Sequence, residues 1–92
     1  MNRKERPIAN PVVVLRKEFD DWAVLFNPDT ADAVGVNPVG VAVWESMDGK
    51  RNLEEIASEV KNNFDSTPPS VLDEISAFVK KLAEQGFVGY EL

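Results

Sequence analysis

Short apolar runs bounded by polar turn residues occupy positions 12–36, and such runs predict β-strands. Segments 12–19 and 22–27 are rich in β-branched and aromatic residues. Only Asp20 and Asp21 separate them, a spacing that is typical of a tight hairpin. The sequence therefore predicts two antiparallel strands.

A third, shorter strand is predicted over Ala31–Val36, after a turn in which Pro28 fixes φ. Gly35 weakens this strand, because glycine has no side chain to pack. Side-chain alternation assigns one apolar face of the sheet to the core, and we expect this face to carry Val13, Leu15, Phe19, Trp22, Val24, Phe26, Val34 and Val36.

The apolar spacing changes to a helical period after Asn37. Asn37-Pro38 predicts a capped start for a first helix that ends at Asp48-Gly49. Asn52 followed by Glu55 resembles a capping box, which predicts a second helix that ends near Asp65.

A third helix is predicted to run to about Gln85, with Gly86 in the left-handed conformation at its end. Its start is open between a cap at Thr67 and a cap at Ser70. The last residues, 87–92, form either a short closing strand or an ordered tail.

These elements predict an α+β fold in which a three-stranded antiparallel sheet is followed by three helices, an order that is winged-helix-like. The length of 92 residues suits a single domain, which we place at residues 12–92. Residues 1–11 are polar and contain two prolines, so we expect a flexible N-terminal tail outside the core.

Acidic residues exceed basic ones, 16 against 10, which gives a net charge of -6. Such a charge repels nucleic acid and anionic membranes unless basic residues are segregated, and no segregated patch is evident. The apolar run near the N-terminus is too short for a signal sequence or a membrane span. The chain has no cysteine, so a reducing cytoplasm is the expected location.

Groups for catalysis are scarce, because the chain contains neither histidine nor cysteine. No glycine-rich phosphate loop and no calcium-loop pattern is present in the sequence. We expect no catalytic residue, no metal site and no cofactor. A small enzyme would have to work with carboxylates and Tyr90 alone.

Two surfaces are candidates for binding. The third strand would lie at the sheet edge if strand order follows the chain, and an open edge can accept a guest strand through its main chain. The third helix carries a core seam and, beside it, a second apolar stripe that either packs on another helix or lines a ligand groove. The candidate binding residues are Ala31, Asp32, Ala33, Val34, Gly35, Val36, Leu72, Ser76, Val79 and Ala83.

The segment from Asn37 to Ile56, with its Asp48-Gly49 turn, resembles the PqqD-like family. Further along, the spacing of apolar residues up to Gly86 and Val88 is similar to the final helix of that family. The resemblance covers residues from about Pro11 to Val88.

This resemblance implies a non-catalytic recognition element that binds the leader segment of a ribosomally made precursor peptide. The leader would add as a strand beside the third strand and rest against the third helix. A radical S-adenosylmethionine (SAM) enzyme is the implied partner, and the protein itself would be a monomer or a weak homodimer. The alternative is a winged-helix DNA-binding or regulatory module, which the element order permits and the net charge opposes.

Overall fold

A computed structural model of the chain describes residues 5–20, 22–64 and 67–91. Five strands and three helices follow one another in these residues. They are β1 (Arg6–Ala9), β2 (Val14–Lys17), β3 (Ala23–Asn27), β4 (Asp32–Val36), α1 (Pro38–Ser46), α2 (Leu53–Asn63), α3 (Val71–Glu84) and β5 (Val88–Glu91). The predicted α+β, winged-helix-like class, with a three-stranded antiparallel sheet followed by three helices, is confirmed.

The three-stranded sheet has the order β2-β3-β4, so strand order follows the chain. The β3–β4 turn places Ala31 at φ 62°, a left-handed conformation that costs an alanine free energy. The N–H of Ala31 donates to the carbonyl of Asn27 at 2.8 Å and closes this turn. At the other turn, Asp20 has φ 55°.

The residues of β3 that face the core are offset by one position from the predicted ones. Leu25 is fully buried and Ala23 is 3% exposed, whereas Trp22 and Phe26 are 51% and 40% exposed. Phe19, also expected in the core, is 77% exposed at the hairpin end. Both faces of β3 are apolar, so alternation alone could not select the buried one, and the larger side chains proved to face outward.

Helix starts follow the predicted caps. The side chain of Asn37 accepts the N–H of Gly40 at 2.7 Å, with Pro38 opening α1. Asn52 and Glu55 form a reciprocal capping box on α2. The structure starts α3 after Ser70, although that residue makes no side-chain cap hydrogen bond.

The three helices pack on the inner face of the sheet around one apolar core. Trp44 on α1 belongs to this core, and Phe87, just before β5, is completely buried. Gly86 has φ 82°, which agrees with its predicted role at the end of α3. No helix within the described residues is long and apolar enough to cross a bilayer.

The expected flexible tail over residues 1–11 is wrong for Arg6–Ala9, which form β1 and pair antiparallel with β5. Residues 1–4 lie outside the described part of the chain. Pro7 is fully buried. The N–H of Ala9 donates to the carbonyl of Met47 and the N–H of Gly49 to that of Pro7, at 2.9 and 3.0 Å. Because β5 and residues 47–49 both offer main-chain partners, the polar and proline-rich composition did not prevent strand formation.

Candidate functional site

The outer edge of β4 is open. Among the described residues, β4 pairs with β3 only, and the strands near the two termini form a separate two-stranded sheet, β1-β5. The described parts of the two terminal segments therefore pair with each other and not with this edge. An exposed strand edge presents N–H and C=O groups that can bind an additional strand.

The hydrogen-bond alternation shows which residues of β4 point their main chain outward. The N–H of Glu18 donates to the carbonyl of Trp22 at 2.8 Å, so Trp22 faces β2 with its main chain. In an antiparallel sheet, the N–H and C=O groups of successive residues point alternately to the two neighbouring strands. The main-chain groups of Leu25 therefore point to β4, where Leu25 pairs with Val34. It follows that Val34 bonds to β3 and that Ala33 and Gly35 direct their N–H and C=O groups to the open edge.

A groove of about 470 Å³ starts at the C-terminal end of β4 and runs between α1 and α3. That volume lies in the range of ordinary ligand-binding clefts. Its walls are mostly apolar, and they are formed by Gly35, Val36, Asn37, Val39, Gly40, Val43, Phe64, Thr67, Pro68, Val71, Glu74, Ile75 and Phe78.

The groove and the open edge together form a two-part surface. The residue of a guest strand opposite Val34 would share its face of the sheet, which is the inner face towards the helices. Residues of the guest opposite Ala33 and Gly35 would point to the outer face. Inner-face guest side chains would therefore be directed to the side where the groove lies.

The α3 residues predicted from the sequence do not line this groove. Val79 is completely buried, and Leu72 and Ala83 pack against the core. The groove is lined instead by Val71, Glu74, Ile75 and Phe78, on another side of α3. The burial of Val79 and the packing of Leu72 and Ala83 favour the core-packing interpretation of this stripe, and its assignment to peptide binding stays a prediction.

Glu74 is the charged residue of the groove lining among the described residues. Its carboxylate adds a negative charge to the mostly apolar lining, in keeping with the net charge of the chain. The sequence pattern assigns Phe78 to the core seam of the third helix and gives Glu74 no role, whereas both line the groove. The helix period alone could have indicated their shared side, but only the position of β4 shows that it faces a groove.

The resolved pKa shifts lie in segments other than this edge and groove. A hydrogen bond from the Lys50 N–H to the carboxylate, at 2.9 Å, is the main cause that lowers the pKa of Asp48. Burial, followed by the charge of Glu5, raises the pKa of Tyr90. Within the described residues, no group of three or more acidic side chains is arranged to hold a metal ion.

The outer face of the three-stranded sheet carries apolar side chains on β3, beside the Arg16–Glu18 ion pair at β2. Val14 and Phe26 are paired across β2 and β3, and they are 54% and 40% exposed. Val24, two residues before Phe26, lies on the same face and is half-buried. The neighbouring β4 positions are Ala33 opposite Phe26 and Gly35 opposite Val24. Small residues therefore separate this apolar face from the open edge.

The chain is similar to a curated protein in sequence and to a solved structure in fold. A PqqA binding protein of Rhizobium meliloti (strain 1021) is 33% identical over 60 residues, which are 65% of this chain and 59% of that protein. The match thus spans less than two thirds of the relative's length. The solved structure of TbiB1 in complex with the TbiA(beta) leader peptide has a TM-score of 0.72 at 24% identity, covering 92% of this chain and 99% of TbiB1. This likeness establishes the shared fold.

A comparison with family models supplies the assignment. The model described as coenzyme PQQ synthesis protein D (PqqD) matches residues 23–88, which include β3, the open-edged β4, all three helices and the start of the last strand. The chain belongs to the PqqD family.

Proposed function

We propose that this protein binds the leader segment of a ribosomally made precursor peptide as an added strand on β4 and presents it to a modifying enzyme of the radical SAM class. The observation that carries the proposal is the open β4 edge beside an apolar groove. Support also comes from the curated relative, a PqqA binding protein, and from TbiB1, which was solved with a leader peptide.

Main-chain bonds would provide sequence-tolerant affinity. Ala33 and Gly35 together offer two N–H donors and two C=O acceptors to a guest strand. Each such bond contributes about 1 kcal/mol net, because the same groups are hydrated before binding. Specificity would come from the groove, where apolar guest side chains meet Val39 and Phe78.

The role we propose is delivery without catalysis. The sequence has neither histidine nor cysteine, and the groove contributes one carboxylate, which is a poor basis for acid-base or nucleophilic chemistry. The modifying enzyme would supply the chemistry. We place this complex in the cytoplasm, with the free protein a monomer or a weak homodimer through the same edge.

An NMR titration tests the binding mode. The probe is a twelve-residue peptide selected from a random display library against this chain, hereafter the selected peptide. We expect amide signals of Ala33 and Gly35 to shift together with those of Glu74 and Phe78. Shifts confined to β1 and β5 would overturn the placement. Duplex DNA titrated at low salt is the comparison, and tight binding there would favour a nucleic-acid role.

A reconstituted reaction tests delivery. Genes beside this one should encode a short precursor and a radical SAM enzyme, and the purified enzyme should modify that precursor faster when this protein is added. Equal modification rates with and without the protein would contradict the delivery role, even if the NMR titration shows binding.

A further inference from the structure

Gly35 leaves an open space on the outer face of the sheet, next to the edge where a guest strand would add. A methyl group placed on Gly35 meets no other atom within 4 Å. Its φ lies outside the left-handed range, so the backbone itself does not require glycine. The absence of a side chain at Gly35 therefore has no explanation in the free protein's packing.

The neighbours of this space are apolar. Val24 pairs with Gly35 across the β3–β4 ladder, and Phe26, on the same face, pairs with Ala33. Phe26 is 40% exposed, although it stands in the middle of a sheet. Its ring is not covered from the β4 side, because Ala33 and Gly35 are small.

A guest residue opposite Gly35 would have its side chain on this outer face. Neighbouring strands lie about 4.8 Å apart, so β3 is roughly 10 Å from the guest strand. A short β-branched side chain stays above its own strand, whereas a long flat one lies across β4 and contacts the side chains of β3. Aromatic side chains are known to cover a glycine on a neighbouring strand in this manner.

We infer that Gly35 forms a subsite for an aromatic residue of the bound peptide, whose ring lies over the glycine and packs on Val24 and Phe26. This inference rests on the proposed strand addition at β4 and adds a specificity that the inner groove does not provide. The occupant is a phenylalanine, tyrosine or tryptophan of the leader, because the space continues directly from the edge that the leader would occupy.

The test compares peptide selection by the native chain and by Gly35→Val. The variant fills the space and should fold, because the added side chain begins in open space; far-UV circular dichroism and thermal melting check this. Gly89→Val, which adds the same side chain to β5 of the other sheet, is the matched control. The probe is a random twelve-residue display library.

We expect peptides selected by the native chain and by Gly89→Val to be enriched in an aromatic residue at one fixed position. Peptides selected by Gly35→Val should keep the groove-facing apolar residues and lose that enrichment. An equal aromatic enrichment with Gly35→Val would overturn the subsite, as would selected peptides with no aromatic preference. If replacing Ala33 by proline leaves the affinity of the selected peptides unchanged, strand addition itself fails.

Affinities measured by fluorescence anisotropy complete the test. Replacing the aromatic residue of the selected peptide by alanine should weaken binding to the native chain about five- to tenfold, the range expected for an aromatic contact of this kind. The same replacement should change binding to Gly35→Val less than twofold. Equal losses for both proteins would show that the ring binds elsewhere and would reject the subsite.

Discussion

Leu25 and Val34 are opposite one another in the β3–β4 ladder, and both side chains point to the helices. This pairing fixes two properties of β4 together. Val34 bonds to β3 with its main chain, and its neighbours Ala33 and Gly35 turn their main chains to the open edge. A substitution meant to block strand addition must therefore act at Ala33 or Gly35, because Val34 is engaged within the sheet.

The groove side of α3 can be tested against the side predicted from the sequence. Phe78→Ala should weaken binding of the selected peptide by about tenfold or more, since burial of an apolar anchor in a groove contributes about 1–3 kcal/mol to the binding free energy. Leu72→Ala is the matched control on another side of α3, and it should leave affinity within twofold. Isothermal titration calorimetry measures both affinities. A larger loss of affinity for Leu72→Ala than for Phe78→Ala would show that the peptide contacts the side of α3 predicted from the sequence and not the groove side.

Ala31 is a second target, because its φ of 62° is costly for alanine. Ala31→Gly should raise the free energy of unfolding by about 0.5–1 kcal/mol, the relief of left-handed strain less the added entropy of the unfolded chain. Urea titration measures the change. Ala33→Gly, within the strand, is the control and should destabilise the protein; a loss of stability for Ala31→Gly would refute the strain.

The capping box of α2 provides a stability test that leaves the site untouched. Asn52→Ala removes the acceptor for the N–H of Glu55, which it now binds at 2.9 Å. We expect a loss of about 1 kcal/mol in the free energy of unfolding. Affinity for the selected peptide should stay the same at a temperature where the variant is fully folded, and a parallel loss of affinity would indicate that α2 contributes to binding.

The pH dependence of stability tests how β5 packs. Burial raises the pKa of Tyr90 in the folded chain, so above the unfolded value the folded state holds more protons than the unfolded state. The contribution of Tyr90 is therefore full below about pH 10 and is lost as pH rises through the folded pKa. Tyr90→Phe should flatten this part of the pH profile measured by urea unfolding; an unchanged slope would contradict it.

Sequence reasoning predicted the elements with the strongest local signals. The caps at Asn37 and Asn52 and the left-handed Gly86 follow from chemistry within a few residues of each position. Strand pairings between residues far apart in the sequence could not be predicted in this way. The pairing of β1 with β5 joins the two ends of the chain, and neither strand has an alternating pattern long enough to indicate it.

The proposed binding surface could likewise be predicted only in part. The edge position of β4 follows from strand order, which the hairpin turns indicate. The side of α3 that lines the groove depends on the three-dimensional position of α1 and β4, and an apolar stripe over Leu72 and Val79 could not distinguish core from groove. Those residue assignments to peptide binding remain predictions, as do the β4 residues themselves.

The central claim is capture of a peptide by the outward main chain of β4, and residue-resolved amide hydrogen exchange tests it most directly. In the free protein, the N–H groups of Ala33 and Gly35 should exchange quickly and that of Val34 slowly. With the selected peptide bound, all three should exchange slowly. Ala33 and Gly35 that still exchange as fast as in the free protein, in a sample saturated with peptide, would contradict the account.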